Sequence, residues 1–100
     1  MTRATQRLTI RHNEERHRFE VALDGELARA DYRIEDGVMR IFHTEVPVAF
    51  EGRGIAAMLV RAAIDHAREH GLKVQPACSY VRSYMRRHPE AQALLAASAG

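Results

Sequence analysis

The chain has no tryptophan, one cysteine (Cys78), one lysine (Lys73) and three prolines in 100 residues. A lone cysteine excludes an internal disulfide, and no Cys/His spacing resembles a structural zinc site. Three Phe and three Tyr are too few for an aromatic platform that stacks nucleic-acid bases. No apolar run is long enough to cross a membrane, and the polar start from Thr2 to Gln6 does not read as a signal peptide. No internal repeat or low-complexity tract is present. The expected setting is therefore reducing and cytoplasmic, with no membrane partner.

What remains is a globular composition, 46% apolar and 28% charged, too apolar for a disordered chain. Its length suits one domain over residues 1–100 with a modest core. The net charge of +2 is uneven. Residues 51–100 carry seven basic against four acidic residues, with Arg82, Arg86, Arg87 and His88 grouped near the end. That group suits an anionic ligand or the wet face of a short helix.

The first half reads as an antiparallel meander. Leu8 to Arg11 forms a short strand, followed by a polar turn at His12-Asn13-Glu14-Glu15. Phe19, Val21 and Leu23 alternate with Arg18, Glu20 and Ala22, and Ala28, Ala30, Tyr32 and Ile34 alternate with Arg29, Asp31 and Arg33. Asp24-Gly25 and Asp36-Gly37 are hairpin turns, because glycine accepts the positive φ they need. A longer strand from Val38 to Val46 is ended by Pro47, which lacks a ladder donor.

From Gly54 the period changes to that of a helix. Ala56, Leu59, Val60, Ala63 and Ala67 form one stripe, and Gly71 stands where the helix should stop. Leu72 to Ala77 reads as a strand parallel to the previous one, joined by a right-handed crossover. Helices over Ser79–His88 and Glu90–Ala97 follow, separated by Pro89. The fold class is α+β: a four-stranded antiparallel meander, a glycine turn, a long helix, a parallel fifth strand and C-terminal helices.

Gly52 and Gly54 stand where strand gives way to helix. A glycine turn into a helix leaves backbone N–H groups unpaired at the positive end of the helix dipole, and this arrangement binds phosphate. Gly-x-Gly alone is shared by many folds, and here it lacks the third glycine of a dinucleotide fold and the Lys-Ser/Thr of a triphosphate loop.

In context, Val-Pro-x-x-Phe-x-Gly-Arg-Gly-Ile-Ala-x-x-Leu over Val46–Leu59 resembles the acetyl-CoA motif of the GNAT superfamily of N-acyltransferases. That motif, Gln/Arg-x-x-Gly-x-Gly/Ala, maps onto Glu51, Gly54 and Ala56. Together with His43–Pro47, Pro76–Val81 and Arg87–Glu90, it is similar to the small single-domain YjdJ-like members, over roughly residues 8–96. The resemblance implies a truncated GNAT-like fold that takes acetyl-CoA as cosubstrate, with no metal.

It further implies that Gly52, Arg53, Gly54, Ile55 and Ala56 bind the pyrophosphate and that the strand edge near Val46 holds the pantetheine arm. The thioester would lie between that strand and the next. Arg82, Arg86 and Arg87 suit the remaining phosphate. Glu51 replaces the usual Gln/Arg, so its side chain should turn away. The helices and strands that normally wall the acceptor site are missing, which suggests a large amine such as a protein, a partner subunit such as a second copy, or no catalysis.

Chemistry needs a base and a donor. Cys78 opens a helical segment, where a thiol gains thiolate character, so it takes the acetyl group or simply lines the pocket. His43 and Glu45 share one strand face and suit the base; a solvated strand end is the plainer reading. The resemblance puts Tyr84 in the role of protonating CoA sulfur, with Tyr80 competing. His66 and His70 have zinc-like spacing without a third ligand. The expected function is acetyl transfer from acetyl-CoA to an amine. The alternatives are a non-catalytic acyl-CoA-binding or sensing module and, last, a nucleic-acid adaptor.

Overall fold

The computed structural model describes residues 8–96. The expectations for Thr2–Gln6 and for Ala97 lie outside these residues. Five strands form one sheet in sequence order: β1 (Ile10–Asn13), β2 (Arg18–Leu23), β3 (Glu26–Glu35), β4 (Val38–Glu45) and β5 (Lys73–Pro76). The first four pair antiparallel and β5 joins β4 in parallel, as the pattern of turns and crossover predicts. In both Asp-Gly hairpins the two central residues have positive φ.

One helix, α1 (Ile55–Glu69), lies across the inner sheet face and packs chiefly on β3. Its buried stripe is Ile55, Leu59, Val60, Ala63, Ile64 and Ala67. The facing sheet residues are Phe19, Val21, Leu23, Ala28, Ala30, Tyr32, Met39 and Ile41, all buried. Ile55 takes the core position expected of Ala56. Two short helices follow: α2 (Ser79–Arg86) packs beside α1 and against β4 and β5, and α3 (Pro89–Gln92) packs on α2.

Three expectations are corrected. Strand β1 runs two residues later than expected, so His12 and Asn13 are strand and the turn falls at Glu14–His17. The Asn13 side-chain carbonyl accepts the Arg16 amide at 3.2 Å, and His17 takes φ 55°, which together close that turn. Ile34 is 46% exposed despite its alternation, because β2 begins opposite Asp31 and leaves this end of β3 unaccompanied.

The last helix stops at Gln92. Residues 94–96 instead run alongside β5, with the Val74 amide donating to Leu94 O (2.7 Å) and the Ala96 amide to Val74 O (2.8 Å). Satisfying an open sheet edge outweighs alanine's helix propensity there.

The shift of β1 brings histidines together. His12 stacks on Phe19 at 4.0 Å and meets His66 edge-on at 4.5 Å, while His66 stacks on His70 at 4.0 Å. His12 Nε2 and the Tyr32 hydroxyl share a hydrogen bond of 2.5 Å. Burial, then mutual repulsion between the imidazoles, holds both His12 and His66 below their ordinary pKa; Glu14 opposes this weakly. The folded chain therefore binds fewer protons than the unfolded chain once pH falls below about 6.5, and stability declines from there downward. Urea midpoints measured from pH 7.5 to 5 should fall with this sign, and His66→Gln should flatten the slope.

Candidate functional site

The strand pairing of β4 with β5 ends early. Val38–Ile41 pair with Lys73–Pro76, and a last bond runs from the Ala77 amide to Ile41 O at 2.9 Å. Beyond it β4 continues to Glu45 while the other chain turns into α2, so the two diverge. An irregularity in β4 shapes this free stretch. Asp31 pairs with His43 but Tyr32 pairs with Ile41, which leaves Phe42 as an extra residue. Before the bulge Met39 and Ile41 face the core; after it Thr44 takes the inner side, while His43 and Glu45 lie outside.

At the mouth of the gap is the glycine turn. Gly52 and Gly54 have φ of 82° and 78°, and nothing lies within 4 Å of where a Cβ would stand at either. The requirement is conformational, not spatial. Gly54 is the N-cap of α1 in a left-handed conformation, with no side-chain cap and no acidic residue in the first turn. The first helical bond is donated by Met58 to Gly54 O. The amides of Ile55, Ala56 and Ala57 are thus the orphan donors of this helix end, and no carboxylate in the first turn caps them.

A pocket of about 430 Å³ joins the turn to the gap. Its lining includes Glu45, Val46, Gly52, Gly54, Ile55 and Ala56, six residues that sequence reasoning assigned. Arg53 lies alongside, its guanidinium 5.3 Å from the ring centroid of Phe50, which is itself in the lining. Glu51, expected to turn away, is exposed and contributes to the lining. Thr44 and Phe50 are in the lining and were missed, since only the bulge turns Thr44 inward.

Cys78 is the half-buried N-cap of α2, its sulfur 3.7 Å from the Thr44 hydroxyl. Burial raises the thiol pKa. Hydrogen bonds from the Val81 amide, the Thr44 hydroxyl and the backbone of Tyr80 and Thr44 outweigh it, and the net shift is downward.

Tyr80, in the first turn of α2, lines the pocket. Tyr84 does not. It belongs to the buried stripe of α2, its ring 3.9 Å from that of His88 and its hydroxyl near Arg61 and Asp65 of α1. One turn further along α2 leads away from the gap, so Tyr80 and not Tyr84 is the tyrosine beside the pocket. Arg87 is likewise outside the pocket, exposed at the far end of α2, and Arg82 bonds Pro76 O at 3.4 Å.

On the outer sheet face, His43 and Glu45 are joined at 3.1 Å. Arg29 bridges Glu45 (3.3 Å) and Asp31 (3.0 Å). The His43 hydrogen bond, then Arg29, holds the Glu45 carboxyl below the usual carboxylate range. Asp31 Oδ1 is buried without a hydrogen-bond partner. Among the described residues no group of three or more His, Cys, Asp or Glu is placed to hold a metal ion.

Comparison with known proteins agrees with this geometry. A family model described as GCN5-related N-acetyl-transferase matches residues 18–94. Protein NATD1 of Mus musculus is 39% identical over 90 residues, covering 87% of this chain and 82% of that protein. Protein NATD1 of Homo sapiens is also 39% identical over 90 residues, covering 87% and 80%. The NMR solution structure of a GCN5-like protein from Staphylococcus aureus matches with a TM-score of 0.73 and 28% identity, over 91% of this chain and 90% of that one.

Two outcomes follow from the site's geometry. Gly54→Ala should cost about 1–2 kcal/mol of unfolding free energy, because its penalty is the left-handed backbone and not a clash. At pH 7 Cys78 should be alkylated by iodoacetamide several-fold faster per exposed area than an ordinary thiol, and Thr44→Val should slow it.

Proposed function

The chain belongs to the GCN5-related N-acetyltransferase family, and from that premise we propose that it binds acetyl-CoA and transfers the acetyl group to an amine. The observation that carries this reading is the uncapped start of α1 opening into the pocket beside the β4–β5 gap. The free amides of Ile55, Ala56 and Ala57, with the left-handed glycines before them, fit a pyrophosphate. Arg53 supplies the nearest side-chain cation. The unpaired edge of β4 offers backbone groups to an amide-bearing arm, and the gap leads from there to Cys78.

Acetyl-CoA supplies an activated acyl carbon; the chain supplies position and proton transfer. The Cys78 thiolate attacks the thioester carbon, the bond to the CoA sulfur breaks, and the Tyr80 hydroxyl gives the departing sulfur its proton. A neutral amine then attacks the acetyl-cysteine. The thiolate leaves as it came, the amine proton passes to the Glu45–His43 pair on the acceptor side and on to solvent, and solvent returns a proton to Tyr80. Thr44 and the amides of Tyr80 and Val81 stabilise the thiolate between the two steps.

Saturating acetyl-CoA should raise the melting temperature of the wild-type chain, and Gly54→Asp, which sets a carboxylate at the phosphate site, should abolish the rise. CoA release with a panel of amines then separates transfer from mere binding. Cys78→Ala should keep the melting shift and lose turnover by at least about tenfold. If turnover survives intact in Cys78→Ala, the acetyl group moves directly to the amine. A family member without transfer, an acyl-CoA sensor, would show the melting shift with every amine and no turnover.

A further inference from the structure

The outer face of the sheet, opposite α1, bears no helix among the described residues, and its charges are sorted along the β3–β4 ladder. At the pocket end sit Glu45 and Asp31, tied to one arginine, Arg29, and to His43. Past the bulge stand Arg33 and Arg40, direct cross-strand partners and both exposed. Neither has a carboxylate within 4.0 Å among the described residues, although like charges set opposite each other disfavour the pairing. Both guanidinium carbons lie 5.7 Å from the ring centroid of Phe42. The phenyl ring holds the two cations over one spot of the sheet.

Glu45 connects the two regions, since it lines the pocket and also belongs to the outer network. An acceptor whose amine reaches Glu45 therefore lies with the rest of its length over this face. From Glu45 to Arg40 the strand advances by roughly 13–16 Å, about four residues of extended peptide.

We propose that the amine acceptor is an extended acidic peptide. Its amine is received at Glu45 and His43, and a carboxylate about four residues on is clamped between Arg33 and Arg40. The face is complementary to such a peptide at both ends, negative where the ammonium arrives and doubly positive where the carboxylate lands. This assignment of substrate class rests on the acetyl transfer proposed above, but the clamp itself is tested without turnover.

Two peptides of equal length are compared, each with a free N-terminal amine. One carries Glu at its fourth and fifth positions, the other Gln. Binding is read by amide shifts of Arg33, Arg40 and Phe42 during titration, with and without CoA. The acidic peptide should bind roughly five- to tenfold tighter to the wild-type chain. That preference should vanish in Arg33→Gln/Arg40→Gln, and acetyl-CoA should raise the melting temperature of that variant as it does the wild type's.

Equal affinity for the two peptides overturns the proposal, as does an acidic preference that survives in the double variant. Tighter binding of a short single-stranded oligonucleotide with steeper salt dependence overturns it too, since the face would then be a polyanion surface. Should the double variant fold poorly, Arg40→Glu serves, with reversal of the peptide preference as the expected result. Loss of the acetyl-CoA melting shift in the wild type instead refutes the transfer reading and leaves the peptide comparison standing on its own.

Discussion

Everything in this fold hangs on one contact, the buried stripe of α1 against the inner face of the sheet. The helix carries the glycine turn at its start and, through β5, fixes where Cys78 falls. Small residues meet at that contact from both sides: Ala28 and Ala30 from β3, Ala63 and Ala67 from α1, all fully buried. Their size lets the helix axis approach the sheet, while Leu59, Val60 and Ile64 fill the space on either side. With a single helical layer there is, among the described residues, no second core to hold the sheet. A change at this seam therefore acts on the glycine turn and on the fold together.

Local chemistry was legible in the sequence wherever one residue type is demanded by backbone conformation. The Asp-Gly hairpins, the arrest of α1 before Gly71 and the glycine turn at Gly52 and Gly54 were all foreseen, and in the fold the glycines of all three take positive φ. The pocket lining from Val46 to Ala56 follows from the same turn. What was hidden depends on tertiary choices. Nothing in the alternation of β4 announces the bulge at Phe42, so Thr44 could not be seen as an inward residue. Tyr80 and Tyr84 are one helical turn apart, and only the docking of α2 on β4 and α1 decides which meets the gap. Arg87 was singled out as a phosphate ligand by charge, and only the fold shows that it stands at the far end of α2, outside the pocket lining.

The histidines illustrate the same limit from another side. His66 and His70 looked like a metal spacing or a solvated helix end, and His12 like a turn residue. In the fold they form one stack that ties the β1–β2 hairpin to α1, with Phe19 and Tyr32 as its apolar bed. Imidazole suits this seam because it packs like an aromatic ring while keeping a polar edge for the Tyr32 hydroxyl. That suitability holds for the neutral ring and is lost with the charged one.

The bulge at Phe42 has a consequence of parity. An uninterrupted strand deals alternate residues to its two faces, so two neighbours on one side are always separated by a residue on the other. A single inserted residue resets that count, and the strand enters the gap in opposite phase to the one it keeps over the core. Thr44 and Glu45, adjacent in the chain, thereby fall to opposite sides of the sheet, with Thr44 beside the thiol and Glu45 beside Arg29 and His43. Deleting one residue here would exchange those two assignments while leaving the composition of the site almost unchanged.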